Sequence, residues 1–333
     1  MTLSSFVPRP SLRNGHAMTI YSWGNPRYFP GLPAPTLRYF DVAEDSRVLA
    51  HCHWQREPWG HPTLIALHGL NGSTDAHYVR GMAEKAFARG MNVVRLNQRN
   101  CGDTEHLSAG LFHSGLTADP KYVVDELIAV DGLPSIAVAG YSLGGNLALK
   151  LAGEYGSDAP PQVRAFAAVS PILEISLCVQ ALERRSNVLY EWNFVRGLKR
   201  RMKRKARLQP GVFDLGRLAG IKTVREFDEA YTAPYFGFAG AEDYYHRASA
   251  MRVIDRVNVP ALVITAEDDP FVPSQPFHDP KVTGNPHIDL RISRHGGHCG
   301  FVGPRTADDD GYWAENQIVE FFSSKSRVPG SKS

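Results

Sequence analysis

Cysteine is too scarce and too scattered in this chain to build a disulfide framework or a metal knot. The four residues, Cys52, Cys101, Cys178 and Cys299, form no Cys-x-x-Cys pair and no zinc-type spacing, so reduced thiols in a cytoplasmic protein are expected. No apolar run approaches the roughly 18 residues that span a bilayer. The opening residues, 1–8, lack a basic stretch followed by an apolar core, so no secretory leader is expected. A large excess of one charge sign is missing too. A net charge of +3 over 333 residues makes no case for a nucleic-acid partner.

What is present is an ordinary globular balance, 43% hydrophobic and 21% charged residues. The length accommodates one large α/β domain with an insertion. Residues 1–35 are rich in proline, glycine and aromatics without a sustained period, and read as an irregular arm. Residues 36–42 and 47–54 read as two strands joined by the polar turn Glu44-Asp45-Ser46. Apolar strand-like runs at 62–67, 92–96, 135–139 and 163–170 then alternate with helix-like stretches, the first at 75–89. That alternation predicts a mostly parallel, doubly wound sheet with right-handed crossovers. It breaks over 171–259, resumes with strands at 260–265 and 288–293, and closes with a helix at 312–322. The expected division is an arm at 1–35, a core at 36–170 and 260–325, a helical cap insertion at 171–259 and a flexible tail at 326–333.

Most of the chemistry is concentrated at Gly140-Tyr141-Ser142-Leu143-Gly144. The run before it reads as a buried strand, and residues 146–152 after it are good helix formers. A serine at a sharp strand-to-helix turn is the nucleophile elbow of the α/β-hydrolases. So tight a turn strains the serine backbone and leaves no room for side chains at Gly140 or Gly144. A serine hydroxyl needs a base, a carboxylate to orient that base, and donors for the oxyanion. In this fold they follow in the order Ser, acid, His. Asp269 stands just past a strand with Val272-Pro273 in the Asp-x-x-Val-Pro spacing, which favours it over Asp268. His298, with glycines on both sides, is favoured over His295. The N–H groups of Leu143 and of Leu70, in the His68-Gly69-Leu70 loop, are the candidate oxyanion donors, while His68 reads as a packed loop residue. The expected chemistry is two-step acyl transfer without metal or organic cofactor.

Two further features bear on partners. Residues 196–207 hold eight basic side chains and no acid. On a helix, Val195, Leu198, Met202 and Ala206 share one face. Such a helix can make peripheral contact with an anionic membrane, but its thin stripe without an aromatic favours a solvated cap helix packed on the core. His51 and His53 share a strand face and could chelate a metal, yet no third ligand is near, so no metal site is expected.

Beyond the triad, the chain carries Phe112-His113-Ser114-Gly115-Leu116-Thr117, Val224-Arg225-Glu226-Phe227-Asp228-Glu229-Ala230-Tyr231-Thr232-Ala233-Pro234 and Ala241-Glu242-Asp243-Tyr244-Tyr245. With Asp268-Asp269-Pro270-Phe271, these segments resemble the YheT-like branch of the α/β-hydrolases, a family of esterases and lipases. Carried over motif by motif, the resemblance implies Ser142, Asp269 and His298 as the triad. One departure is Asn100, where the family tends to have glycine in an Arg-Gly-Cys-Gly loop. The resemblance also implies short- to medium-chain carboxylic esters as substrates, and glycerolipids for some relatives. Two other readings stand beside ester hydrolysis: an acyltransferase with the same triad, and a non-catalytic hydrolase-fold binding protein. No motif names the natural substrate or the oligomeric state.

Overall fold

The computed structural model describes residues 6–307 and 309–325, so the tail expected at 326–333 lies outside the described residues. Strands β1 (Thr36–Ala43), β2 (Ser46–His53), β3 (Thr63–Leu67), β4 (Asn92–Leu96), β5 (Ile136–Tyr141), β6 (Val163–Val169), β7 (Ala261–Ala266) and β8 (Ile288–Ser293) form one sheet. Their order is β1-β2-β4-β3-β5-β6-β7-β8. The β1–β2 and β2–β4 pairs are antiparallel and every later pair is parallel. Helices α1 (Gly15–Gly24), α2 (His77–Ala88), α3 (Ala118–Ala129), α4 (Leu143–Tyr155), α5 (Ile175–Leu182), α6 (Val188–Leu208), α7 (Ala241–Ala248) and α8 (Trp313–Lys325) surround it.

The continuous apolar strands follow from burial on both faces. In β3, Leu64 and Ala66 join Met82 and Ala86 of α2 and Ile318 and Phe322 of α8. The alternate residues Ile65 and Leu67 join Val123 and Leu127 of α3 and Leu147 and Leu151 of α4. Between β6 and β7 the chain adds helices and no named strand.

The arm differs from its expected irregular form, because it contains α1. Asn14 caps that helix, its side-chain oxygen accepting the Ala17 N–H at 3.1 Å. Glycine, threonine and serine give the segment little intrinsic propensity, so tertiary packing decides. Met18 is fully buried in the cluster beneath α2 and α8. Downstream, Arg27 donates to both Glu315 oxygens at 2.5 and 2.9 Å, and to Asp310 at 3.1 Å. Lys85 of α2 meets the same Asp310 at 2.6 Å. The Arg27 and Glu315 side chains are only 6% and 3% exposed. Arg27→Ala would leave the buried Glu315 carboxylate with Lys85, at 3.1 Å, as its remaining ion-pair partner, and is expected to cost about 3 kcal/mol. The check is a lower urea midpoint at an unchanged denaturant slope.

The face shared by His51 and His53 is taken by an arginine. Arg95 Nε donates to His53 Nε2 at 3.1 Å, and His51 Nδ1 lies 3.3 Å from Thr74 Oγ1. Burial, reinforced by the Arg95 charge, pushes His53 down to about 4. Among the described residues no cluster of three His, Cys, Asp or Glu side chains is placed to hold a metal, and no helix is long and apolar enough to cross a membrane.

Candidate active site

Ser142 sits between β5 and α4 with φ 55° and ψ −117°, a region that residues with a side chain rarely occupy. The surrounding glycines make this turn physically feasible. A Cβ at Gly144 would lie 2.5 Å from the Leu67 carbonyl oxygen and 2.6 Å from that of His68, and one at Gly140 would overlap the Gly144 carbonyl. The Ser142 N–H donates to Val169 O at 2.9 Å, anchoring the elbow to the end of β6. Because α4 starts at the next residue, its positive end lies beside the hydroxyl.

The candidate acid explains its own sequence spacing. Asp269 Oδ1 accepts the N–H groups of Phe271 and Val272 at 3.1 and 2.9 Å. This leaves Oδ2 for His298 Nδ1, 2.8 Å away. The Asp269 side chain is completely buried and that of His298 is 11% exposed. Burial alone would lower the imidazole, but the Asp269 carboxylate and the adjacent Cys299 sulfur outweigh it and raise His298 to about 10. The Phe271 ring covers the imidazole at 4.1 Å between centroids. The rival residues pair with each other instead. His295 Nδ1 lies 3.3 Å from Asp268 Oδ2, and Asp268 Oδ1 accepts the Gly297 N–H at 2.8 Å. Asp268 thus holds the backbone of the loop that presents His298.

That loop is also anchored by groups that sequence reasoning missed. The Cys299 N–H donates to Ser170 Oγ at 3.1 Å, immediately past the residue that accepts the Ser142 N–H. From α1, Thr19 gives its hydroxyl proton to Gly15 O at 2.7 Å and accepts the His298 N–H at 2.8 Å. No local pattern marks Thr19, which stands 279 residues from its partner. Thr19→Val keeps the shape and removes the acceptor, leaving a mostly buried N–H unpaired at about 1–3 kcal/mol. The expected result is a roughly tenfold fall in kcat/KM on a nitrophenyl ester, with a small drop in melting temperature.

Leu70, Leu143 and Ser142 line one cavity. The Gly69 N–H is used by Tyr78 Oη at 3.0 Å, whereas the Leu70 and Leu143 N–H groups have no partner among the described residues. His68 is a buried spacer: its Nε2 accepts the Gln98 N–H at 3.2 Å, and burial pushes it down to about 4. Asn100 adopts φ 62°, the left-handed conformation that glycine serves elsewhere and asparagine tolerates. Its side chain donates to Gly110 O at 2.9 Å, so the departure from glycine preserves the turn.

The cavity walls are mainly apolar, with Leu111 and Phe112 from the core and Ile172, Val179 and Leu182 from the segment between β6 and β7. Helix α6 adds Leu198 and Met202, with Arg201 and Lys205 beside them. The expected stripe of Val195, Leu198, Met202 and Ala206 is corrected at its end. Lys205 is fully buried while Ala206 is half-buried, because the Lys205 ammonium donates to the carbonyls of Glu105, at 3.0 Å, and Ser108. Burial pushes Lys205 down to about 8.

The three specific motifs beyond the elbow form one hydrogen-bonded unit. Tyr244 Oη donates to Ser114 Oγ at 2.7 Å and accepts the Ser114 N–H at 2.9 Å. Tyr245 Oη donates to Asp228 at 2.9 Å, within a π-turn over Asp228–Thr232. Burial raises the Asp228 carboxyl to about 6. Asn146 of α4 joins these parts, donating to Ser114 O and Ala248 O at 2.9 and 3.0 Å and accepting the Ala250 N–H at 2.7 Å. Its place four residues after Ser142 gave no sign of this role.

Comparison with known proteins supplies the family. The family model described as alpha/beta hydrolase fold matches residues 62–303. The Escherichia coli (strain K12) protein named "Putative esterase YheT" is 30% identical, over 96% of this chain and 94% of its own length. "Phospholipase ABHD3" of Mus musculus is 31% identical over 72% of this chain and 58% of its own. "Medium-chain fatty acid ethyl ester synthase/esterase 2" of Saccharomyces cerevisiae is 29% identical over 79% of this chain and 62% of its own. Among solved structures, the Pyrococcus furiosus esterase Pf2001 superposes with a TM-score of 0.58 at 14% identity, over 88% of this chain and 93% of its own. That last likeness speaks for the fold alone. The chain belongs to the α/β-hydrolase family, in its YheT-like esterase branch.

Proposed function

We propose that this protein hydrolyses carboxylic esters through Ser142, His298 and Asp269. The observation that carries the reading is the 2.8 Å contact between the completely buried Asp269 and the mostly buried His298. The loop bearing it is tied to the end of β6, where the Ser142 N–H is also bound. In this mechanism His298 Nε2 takes the hydroxyl proton as Ser142 Oγ attacks the ester carbonyl. The oxyanion accepts hydrogen bonds from the Leu143 and Leu70 N–H groups, assisted by the α4 end. Collapse expels the alcohol, protonated by His298, and leaves an acyl-serine. Water then attacks with the same histidine as base, regenerating the free hydroxyl. Asp269 stays ionised throughout, holding the imidazole tautomer and stabilising its cation.

Residues 171–259 act in this proposal as the cap. Their apolar contribution to the Ser142 cavity suits a short- to medium-chain acyl group or one chain of a glycerolipid, and the phospholipase name of the mouse relative is in keeping with the latter. The yeast relative's name joins ester synthesis to hydrolysis, which supports a second reading: an alcohol replaces water as acyl acceptor. Product analysis with added alcohol separates the two. A fluorophosphonate probe tests the nucleophile itself. Covalent labelling at Ser142 in the folded protein is the expected result. Absence of labelling would favour a non-catalytic binding protein.

A further inference from the structure

The two long faces of α6 differ in kind. The inner face lines the Ser142 cavity through Leu198 and Met202. The outer face runs along all 21 residues, a length of about 31 Å at the usual helical rise. At spacings of three and four it presents Leu189, Trp192, Arg196, Arg200, Lys203 and Arg207, all exposed. Its first turns are apolar, with Val188, Leu189 and Trp192 exposed by 60, 76 and 58%. The remainder is cationic. Arg196, Lys199, Arg200, Lys203 and Arg207, with Lys222 opposite, line an open groove to which no carboxylate contributes among the described residues.

Neighbouring groups leave most of this charge uncompensated. Arg204 is paired with Asp103 and Glu105 at 2.5 and 2.7 Å. Lys199 Nζ donates to Ala219 O at 3.1 Å, and Arg196 lies over the Trp192 ring at 5.3 Å. Arg200, Lys203 and Arg207 have no ion pair among the described residues. The basic stretch lacked an aromatic when taken alone. The helix, however, starts at Val188 and places Trp192 on the same stripe. An exposed leucine and tryptophan continuous with unpaired cations match a lipid–water interface. The aromatic and aliphatic groups enter the headgroup–acyl boundary and the cations meet phosphates. A soluble polyanion would use the cations and leave the apolar end without a partner.

We propose that the outer face of α6 is a peripheral docking surface for an anionic phospholipid bilayer. Val188, Leu189 and Trp192 enter the interface, and Arg200, Lys203 and Arg207 pair with headgroup phosphates. This inference is independent of the proposed triad, because binding is measured with full-length Ser142→Ala protein. The experiment is co-sedimentation with vesicles of phosphatidylcholine alone and of phosphatidylcholine mixed with phosphatidylglycerol. The expected result is partitioning onto the anionic vesicles only, weakened by salt. The combined Arg200→Glu, Lys203→Glu and Arg207→Glu variant should partition at least about a hundredfold less. Trp192→Ala, which leaves every cation in place, should lose several-fold. In the Ser142 background, cleavage of a water-soluble nitrophenyl ester by the corresponding wild-type-serine variants should be unchanged, verifying an intact fold. Failure to bind anionic vesicles would overturn the proposal, as would equal binding by the charge-reversed protein. Heparin binding that is insensitive to Trp192→Ala, without vesicle binding, would mark a plain polyanion site and overturn it too.

Discussion

Ser142→Ala is expected to lower kcat on short-chain nitrophenyl esters by about a millionfold, with the fold intact. Alanine keeps the Cβ and therefore the same strained backbone, with φ 55° between Gly140 and Gly144. The anchor from its N–H to Val169 O is also retained. What disappears is the oxygen that would become acyl-serine. The oxyanion donors and substrate contacts survive, so a residual rate above background and a nearly unchanged KM are expected. Steady-state kinetics on purified protein, paired with a thermal melt, make the check. Full activity in the variant would sink the proposed nucleophile.

The second large effect is expected from Asp269→Asn, at about ten-thousandfold in kcat. The asparagine carbonyl still accepts the Phe271 and Val272 N–H groups, so the loop keeps its shape. Its amide NH₂ then faces His298 Nδ1, which selects the tautomer protonated at Nε2 and removes the base. The pH profile adds a separate signature. A general base acts when neutral, and a raised pKa keeps His298 cationic to higher pH. With His298 raised to about 10 by Asp269 and Cys299 against burial, wild-type kcat/KM should climb on an acidic limb well above the usual 6.5 of histidine. In Asp269→Asn the limb should move down, because burial then acts with less opposition. Asp268→Asn should leave the position of the limb in place, since Asp268 contacts His295 and the Gly297 N–H rather than the His298 ring. Equal displacement in both variants would contradict the assigned acid.

Legibility in the sequence followed the range of the interactions. The Asp-x-x-Val spacing was readable because Asp269 binds the N–H groups two and three residues ahead of it. The elbow glycines were readable because Gly140 and Gly144 border one turn. The parallel strands showed as apolar runs because both faces of the sheet are covered. Helix α1 was not readable, since its composition is helix-poor and the buried Met18 helps hold it in place. The basic stretch was read from its charged part, while its exposed apolar part lay just upstream in the same helix.

The sequence by itself determined the family, the order of the strands along the chain and the three candidate catalytic side chains. Each of these is written in local spacing or in burial periodicity. Only the tertiary structure decided what supports them. Thr19 reaches His298 across 279 residues, and Tyr244 reaches Ser114 across 130. Asp268 and His295 turn to each other and leave Asp269 for His298. Such partners are chosen by packing, where elements distant in the chain must satisfy one another's buried polar groups.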